Sequence, residues 1–322
     1  MQKIRMSDVF FTKAIPAYKG AFLGAALDSC LAQTYPRFEV VVVDDASPEQ
    51  LGAIVAGYND SRLHYYRNAR NIGAVDVVAN WNKCLDRARG DYIICMGDDD
   101  RLLPCCLEEY ARLIGKYPAL KVFHAHTEII DERGNVAEQT ALRPEYETAL
   151  SLLYHRWNGR GRQFIGDFCF KTADLRSEGG FYFLPMAWGS DDISAIRAAT
   201  PRGIANTQTP CFQYRINSFS ISNSGSGKVK MEAVGGEQRW ISGYIAGIAP
   251  ATLTEADRRL LELIKEQMES HFERKRYGIV RKDMINEPSR LFYWLRNGKA
   301  HGLTAKSTLH AFASALSFLC SR

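Results

Sequence analysis

An α/β fold is predicted for the first part of this chain: a doubly wound, mostly parallel central sheet with flanking helices, followed by a helical extension. Three observations carry the prediction. Two apolar runs, Val40-Val41-Val42-Val43 and Tyr92-Ile93-Ile94-Cys95-Met96-Gly97, each end in acids, Asp44-Asp45-Ala46-Ser47 and Asp98-Asp99-Asp100. Strand and helix patterns alternate through the first hundred residues. Beyond Ser222 to Gly227 the pattern is helical. In an open parallel sheet, ligands bind at the carboxyl ends of the strands. Three adjacent carboxylates there repel one another, and a hard divalent cation carrying a phosphorylated ligand is the natural counter-charge.

Val9 to Ile15 reads as the first strand, and Leu23, Leu27, Cys30 and Leu31 follow helical spacing up to Tyr35-Pro36. Phe38 to Val43 has consecutive β-branched residues without alternation, the pattern of a strand buried on both faces. Leu51, Ile54 and Val55 mark a helix that closes near Gly57, and Leu63 to Tyr66 is a short strand. Asn71-Ile72-Gly73 makes a turn into a helix reaching about Ala88, with Trp81, Leu85 and Ala88 on one face. Gly90 and Asp91 lead into the strand Tyr92 to Met96. After Pro104 the alternation becomes irregular: a helix from Pro104 to Ile114, a strand from Val122 to Ala125, and a turn at Asp131-Glu132-Arg133-Gly134-Asn135 between extended runs. Ser222 to Gly227 reads as a linker or loop. Thr254 and Asp257 form a capping signal for a helix whose apolar stripe is Leu260, Leu261, Ile264, Met268 and Phe272.

The 322 residues suffice for one large α/β domain with an extension, or for two domains. None of the eight cysteines forms a C-x-x-C pair and most sit in apolar stretches, so reduced core thiols of a cytosolic protein are expected. Lys3 and Arg5 precede too short an apolar run for a signal peptide, and no stretch is long and apolar enough for a membrane span. The net charge of +5 is uneven: residues 274 to 322 hold ten Lys or Arg against Asp283 and Glu287, a net of +8, leaving −3 for the rest. A tail of that kind suggests an anionic partner, a membrane surface or nucleic acid. The aromatic residues between Arg290 and Arg296, and the stripe Leu309, Phe312, Ala313, Leu316 and Leu319, favour a membrane surface, with no nucleic acid expected.

Four blocks in order resemble glycosyltransferase family 2, the inverting GT-A enzymes: Ala14-Ile15-Pro16-Ala17-Tyr18; Ser29 to Pro36, similar to S-x-L-x-Q-T-x-P; Phe38 to Ser47, similar to F-E-x-x-V-V-D-D-x-S; and Gly90 to Pro104, similar to G-E-Y-I…D-x-D-D…P. The resemblance covers residues 8 to about 222. It implies a GT-A domain over 1–222, with a nucleotide-sugar half (1–104) and an acceptor half (105–222), and a basic helical extension over 223–322. It implies a metal-dependent transfer of a sugar from a nucleotide-diphosphate donor, with a UDP-sugar expected, to a hydroxyl of a glycan or lipid-linked glycan. The setting it implies is bacterial surface-polysaccharide assembly, in the cytoplasm or on the cytoplasmic face of the inner membrane.

The same resemblance assigns residues. Pro16, Ala17 and Tyr18 line the donor site. Asp45 binds the nucleotide base, Asp98 lies nearer the ribose, and Asp99 is the ligand of Mg²⁺ or Mn²⁺. Gly97 stands where the family has Asp. Ser190-Asp191-Asp192 through Arg197 resembles an E-D-x-x-L-x-x-R helix start, with Ser190 in place of Glu. It puts the catalytic base at Asp191, with Asp192 the competing assignment. Cys211 to Asn217 resembles a Y-R-x-H segment in which Asn217 replaces His, and Arg215 is a candidate to neutralise the diphosphate. His124 and His126 share one strand face, and without a third ligand nearby they read as structural or acceptor-side residues.

Two other classes remain open at this stage. A sugar-phosphate nucleotidyltransferase would want a Gly-rich basic loop after the first strand, whereas the sequence there is Pro16-Ala17-Tyr18-Lys19-Gly20. A phospho-receiver or other non-catalytic nucleotide-binding module leaves Asp98 to Asp100 and Asp191 unexplained.

Overall fold

The computed structural model describes residues 8–217 and 226–321. The chain divides into two compact units: Met1–Phe183 with Ser190–Ser220, and Leu184–Gly189 with Ile221–Arg322.

The first unit is built on a sheet begun by β1 (Phe11–Ala17), β2 (Phe38–Asp44), β3 (Leu63–Arg67) and β4 (Tyr92–Cys95). These strands are parallel, in the spatial order β3-β2-β1-β4. The connecting helices are α1 (Leu23–Leu31), α2 (Leu51–Ala56) and α3 (Val77–Arg87). Every residue of β2 is buried, as the unbroken valine run requires. Val40, Val42 and Ile94 join Leu23, Leu27 and Cys30 of α1 in the main core, while α3 packs on β1, β2 and β4. Side chains alternate across a strand, so one sheet serves both helical layers. Gly90 allows a close backbone approach: a Cβ there would lie 2.5 Å from Thr12 N.

The second half of this unit contains β5 (Arg101–Leu102), α4 (Cys106–Lys116), β6 (Val122–Ile130), β7 (Val136–Gln139), β8 (Tyr146–Glu147) and α5 (Ala149–Trp157). It continues through β9 (Phe168–Lys171), α6 (Thr172–Ser177), α7 (Ser190–Ala199) and β10 (Ile204–Arg215). Here the sheet turns mixed. β9 inserts antiparallel between β4 and β6, and β10 runs parallel to β6 but antiparallel to β5 and β8. β6 and β7 form the hairpin expected around Asp131 to Asn135, whose turn is closed by Asp131 accepting from the Asn135 amide.

The second unit contains α8 (Gly227–Ala246), α9 (Glu255–Asn286), α10 (Arg290–Asn297) and α11 (Ala305–Cys320). Thr254 caps α9 by accepting from Asp257 N at 3.1 Å. Leu261, Ile264 and Phe272 of its expected stripe are buried. The expected linker residues Ser222 to Gly225 lie outside the described residues, and Ser226 caps α8 by accepting from Val229 N. Six of the eight cysteines are buried and all are free thiols. Among the described residues no helix is long and apolar enough to cross a membrane.

Candidate functional site

The carboxyl ends of β1, β2 and β4 lie side by side because the strands are parallel neighbours, and the loops that leave them are tied together. Asp45 N donates to Ala17 O at 2.9 Å, and Ser47 Oγ donates to Tyr18 O at 2.6 Å. Asp98 Oδ2 accepts from the amides of Tyr18 (2.7 Å) and Lys19 (2.8 Å). The Pro16-Ala17-Tyr18 turn is therefore fastened to the acidic cluster by one of the cluster's own carboxylates.

The three acids are adjacent in sequence but do not converge. Asp98 faces the 18–19 turn, Asp100 Oδ1 accepts from Arg215 N at 3.0 Å, and Asp99 Oδ2 accepts from Asn217 Nδ2 at 2.5 Å. Burial raises all three above the ordinary carboxylate range, and neighbouring cluster carboxylates raise Asp98 and Asp100 further. Asp98 reaches about 6. Gly97 explains part of this packing: a Cβ there would stand 2.6 Å from Asp99 Oδ1 and 3.1 Å from Asp100 Oδ2. The missing carboxylate at 97 thus makes room for the one at 99. Asn217, standing where the family carries His, meets the same Asp99.

Among the described residues no group of three or more His, Cys, Asp or Glu is arranged to hold a metal by itself. The donor set instead suits Mg²⁺ or Mn²⁺ bound through one or two carboxylates, with phosphate oxygens completing the shell. Asp99 is a buried carboxylate of this cluster, its charge disfavoured by burial.

Arg215 is 1% exposed and lies behind the cluster. Its Nε donates to Asp99 O (2.8 Å), and its Nη1 donates to Asp131 O (2.9 Å) and Glu132 O (3.1 Å). Its Cζ lies 4.5 Å from the centre of the Phe22 ring. It fixes the main chain that carries Asp99, and its buried Nη2 has no hydrogen-bond partner among the described residues.

Asp45 is buried, and its carboxylate is already engaged by the loop before α3. Oδ1 accepts from Asn68 Nδ2 (2.8 Å) and Ile72 N (3.0 Å), and Oδ2 accepts from Asn71 Nδ2 (3.1 Å) and Gly73 N (3.3 Å). The loop after β2 is closed by its neighbour instead: Asp44 Oδ1 accepts from Ser47 N at 2.7 Å, and Asp44 pairs with Arg67.

Asp191 and Asp192 open α7, where the helix dipole favours negative charge. They differ in their neighbours. Asp192 accepts from Arg156 Nε (2.8 Å) and Gln163 Nε2 (2.7 Å), and Gln163 in turn accepts from the buried Arg143 (2.9 Å). Among the described residues Asp191 takes no side-chain donor; burial and the charge of Asp192 push it up to about 7. Arg156, Gln163 and Arg143 escaped sequence reasoning because their partners lie 20 to 36 residues away and no periodicity marks such contacts. His124 is enclosed beside Asp167 (3.3 Å) and Phe168, and His126 Nε2 bonds Thr140 O (2.8 Å).

A parallel β3-β2-β1-β4 half, a mixed second half and acidic strand ends define a GT-A fold. Residues 14–173 match the family described as glycosyl transferase family 2, and through this domain the chain belongs to that family. It is similar to an uncharacterised glycosyltransferase of Rickettsia typhi, 28% identical over 123 residues, 38% of this chain and 37% of that protein. A putative colanic acid biosynthesis glycosyl transferase of Escherichia coli is 40% identical over 81 residues, 24% of this chain and 28% of that protein. The matched region thus spans little more than a third of the Rickettsia relative's length. Among solved structures, S. aureus TarS 1-349 in complex with UDP-GlcNAc superposes with a TM-score of 0.65 at 18% identity. That match covers 97% of this chain and 92% of the TarS chain.

Proposed function

We propose that the protein is a metal-dependent inverting glycosyltransferase that moves a sugar from a UDP-sugar to a hydroxyl of a glycan or lipid-linked glycan. The observation that carries this reading is the pair of unlike carboxylate environments in one unit. Asp98 and Asp99 sit at a strand end tied to the 16–18 turn, and Asp191, pushed up to about 7, has no side-chain donor among the described residues. A general base works best with a value near the operating pH.

In the proposed reaction the acceptor oxygen attacks the anomeric carbon in one displacement. Its proton passes to Asp191, and the bond to the diphosphate breaks with its electron pair leaving on phosphate oxygen. Asp192, held by Arg156 and Gln163, orients the start of α7. Asp99 would hold Mg²⁺ or Mn²⁺, which neutralises the diphosphate. Asp98 and the 16–18 turn border the ribose, Asp45 serves the base, and Arg215 acts through the Asp99 main chain. The TarS complex with UDP-GlcNAc supports a UDP-sugar donor by analogy of fold.

An anionic membrane surface is the proposed meeting place with the acceptor. Supporting it, Phe292 is 76% exposed and Leu295, Leu309, Leu316 and Leu319 are exposed beside it in sequence, interleaved with Arg296, Lys299 and Lys306. Helices with apolar residues outward and basic residues between them suit an interface.

A screen of nucleotide-sugars for metal-dependent nucleoside diphosphate release tests the reading. Slow hydrolysis needs no acceptor. UDP release from a UDP-sugar that is lost in Asp191→Asn is expected; no release from any nucleotide-sugar, with or without metal, would count against it.

A further inference from the structure

Asp191 and Asp192 open the same helix, but only one of them is reachable. Asp191 is partly accessible to solvent, whereas Asp192 is buried. Ser190, on the other side of Asp191, is buried and carries no charge. Asp192 is therefore the one acidic companion that Asp191 has on α7.

Two donors converge on one oxygen of that companion. Arg156 Nε, at the end of α5, donates to Asp192 Oδ1 at 2.8 Å, and Gln163 Nε2 donates to the same atom at 2.7 Å. Arg156 Nε also reaches Oδ2 at 3.1 Å. The Gln163 amide is aimed from behind. The buried Arg143 donates through Nη2 to Gln163 Oε1 at 2.9 Å, and a guanidinium has no acceptor to offer. The amide oxygen must face Arg143, so the amide N–H must face Asp192. Each of these contacts brings a donor to the Asp192 carboxylate, and donors favour its ionised form.

The charges that bear on Asp191 come from three elements. Burial and then the Asp192 charge oppose its ionisation, Arg156 on α5 favours it, and Asp167, in the turn before β9, opposes it. Arg143, from the segment before β8, bears on Asp167 and Asp192.

We propose that Asp192 is a positioning residue for the base: clamped as a fixed anion by Arg156 and Gln163, it makes Asp191 the member of the pair that takes up and releases the proton. The inference rests on Asp191 as the base of the proposed transfer and adds a division of labour within the pair. Asp192, being buried, acts through Asp191, and Arg156 and Gln163 act through Asp192.

Two substitutions that dismantle the clamp should move Asp191 in opposite directions. Asp192→Asn keeps an acceptor at Oδ1 for both donors but removes the charge, so Asp191 should ionise at least ~1 pH unit lower. Arg156→Gln removes the cation, so the later ionisation of the pair should rise by roughly 0.5 pH unit. Asp192→Glu keeps the charge and should hold the midpoint near that of the wild type. Carboxyl ¹³C NMR titration of the full-length protein reads these midpoints without substrate, the Asp191 signal being assigned by its loss in Asp191→Asn. UDP release from a UDP-sugar, followed from about pH 5 to about pH 9, reads them in turnover. Thermal unfolding checks that each variant folds; the Arg156 side chain is 32% exposed, so its variant guards against failure of the buried Asp192 ones. Opposed shifts, in the titration and in the rate profile alike, are expected; a mere disturbance of α7 would lower turnover without them. An Asp191 midpoint that stays put in Asp192→Asn, or moves the same way in both variants, would overturn the inference and leave Asp191 as the base. Midpoints that move in the titration while the rate profile does not follow would overturn Asp191 as the base, and the positioning role with it.

Discussion

Replacing Asp191 by Asn removes one ionisable oxygen from the start of α7 and changes two measurable quantities. The carboxyl group moves from an ordinary value of 3.8 to about 7 on folding, chiefly through burial and then through Asp192. That gap is worth at most about 4 kcal/mol at about 1.4 kcal/mol per pH unit. Asp191 is partly accessible to solvent and shares the effect with Asp192, so about 2 kcal/mol is the working figure. The sign follows from proton binding. Between the two values the folded chain binds more protons at this site than the unfolded chain, so stability falls as pH rises through that window. Asn has no such slope. Urea unfolding of both proteins from about pH 5 to about pH 8 should show the wild type losing about 2 kcal/mol relative to Asp191→Asn. The same variant should keep UDP affinity but lose transfer at least ~100-fold, and wild-type turnover should climb through about pH 7 as the base ionises. Parallel stability curves would refute the raised value. If Asp192→Asn shows the kinetic phenotype and Asp191→Asn does not, the base is the neighbouring residue.

Gly97→Ala should weaken Mn²⁺-dependent UDP binding by at least ~10-fold, read by calorimetry, since the new methyl displaces the Asp99 carboxylate; unchanged affinity would mean that the 97–99 contact is slack. Asp45→Asn should weaken UDP by a similar ~10-fold and also speed amide exchange at Ile72 and Gly73, because the same carboxylate holds that loop. Wild-type UDP affinity with faster exchange would make Asp45 a loop-holding residue alone. Phe292→Asp combined with Leu309→Asp should reduce flotation on anionic vesicles without changing the unfolding midpoint, both side chains being exposed. These substitutions are a cleaner test than deleting residues 274 to 322, which would cut α9 through its buried Ile279, Val280 and Met284.

The N-terminal half was legible because its signals are local. The valine run of β2, the Tyr35-Pro36 stop and Gly90 each declare a strand, a helix end or a close approach within a few residues. The insertion of β9 was not legible. Phe168 to Lys171 is four residues long, too short for a period, and its pairing with β4 and β6 is set across the sheet. At the site, the acids were legible but their directions were not. Three consecutive aspartates read as one pool of charge, yet backbone amides of Tyr18, Lys19 and Arg215 separate them and leave Asp99 with Asn217. Asp191 and Asp192 differ in sequence only through the family resemblance, and in the structure the distant Arg156 and Gln163 distinguish them. Leu309, Leu316 and Leu319 read equally well as buried or exposed. α11 packs through the smaller Thr308, Ala311 and Ala315 and leaves those leucines outward.

The central claim is that a divalent cation on Asp99 holds the diphosphate of a nucleotide donor. Calorimetric titration of UDP into the wild type and Asp99→Asn, each with and without Mn²⁺, tests it most directly. The account predicts that Mn²⁺ tightens UDP binding to the wild type by at least ~10-fold and leaves the variant unaffected, because the amide lacks the charge a hard cation prefers. Equal tightening in both proteins, or UDP binding indifferent to Mn²⁺ in the wild type, would contradict it.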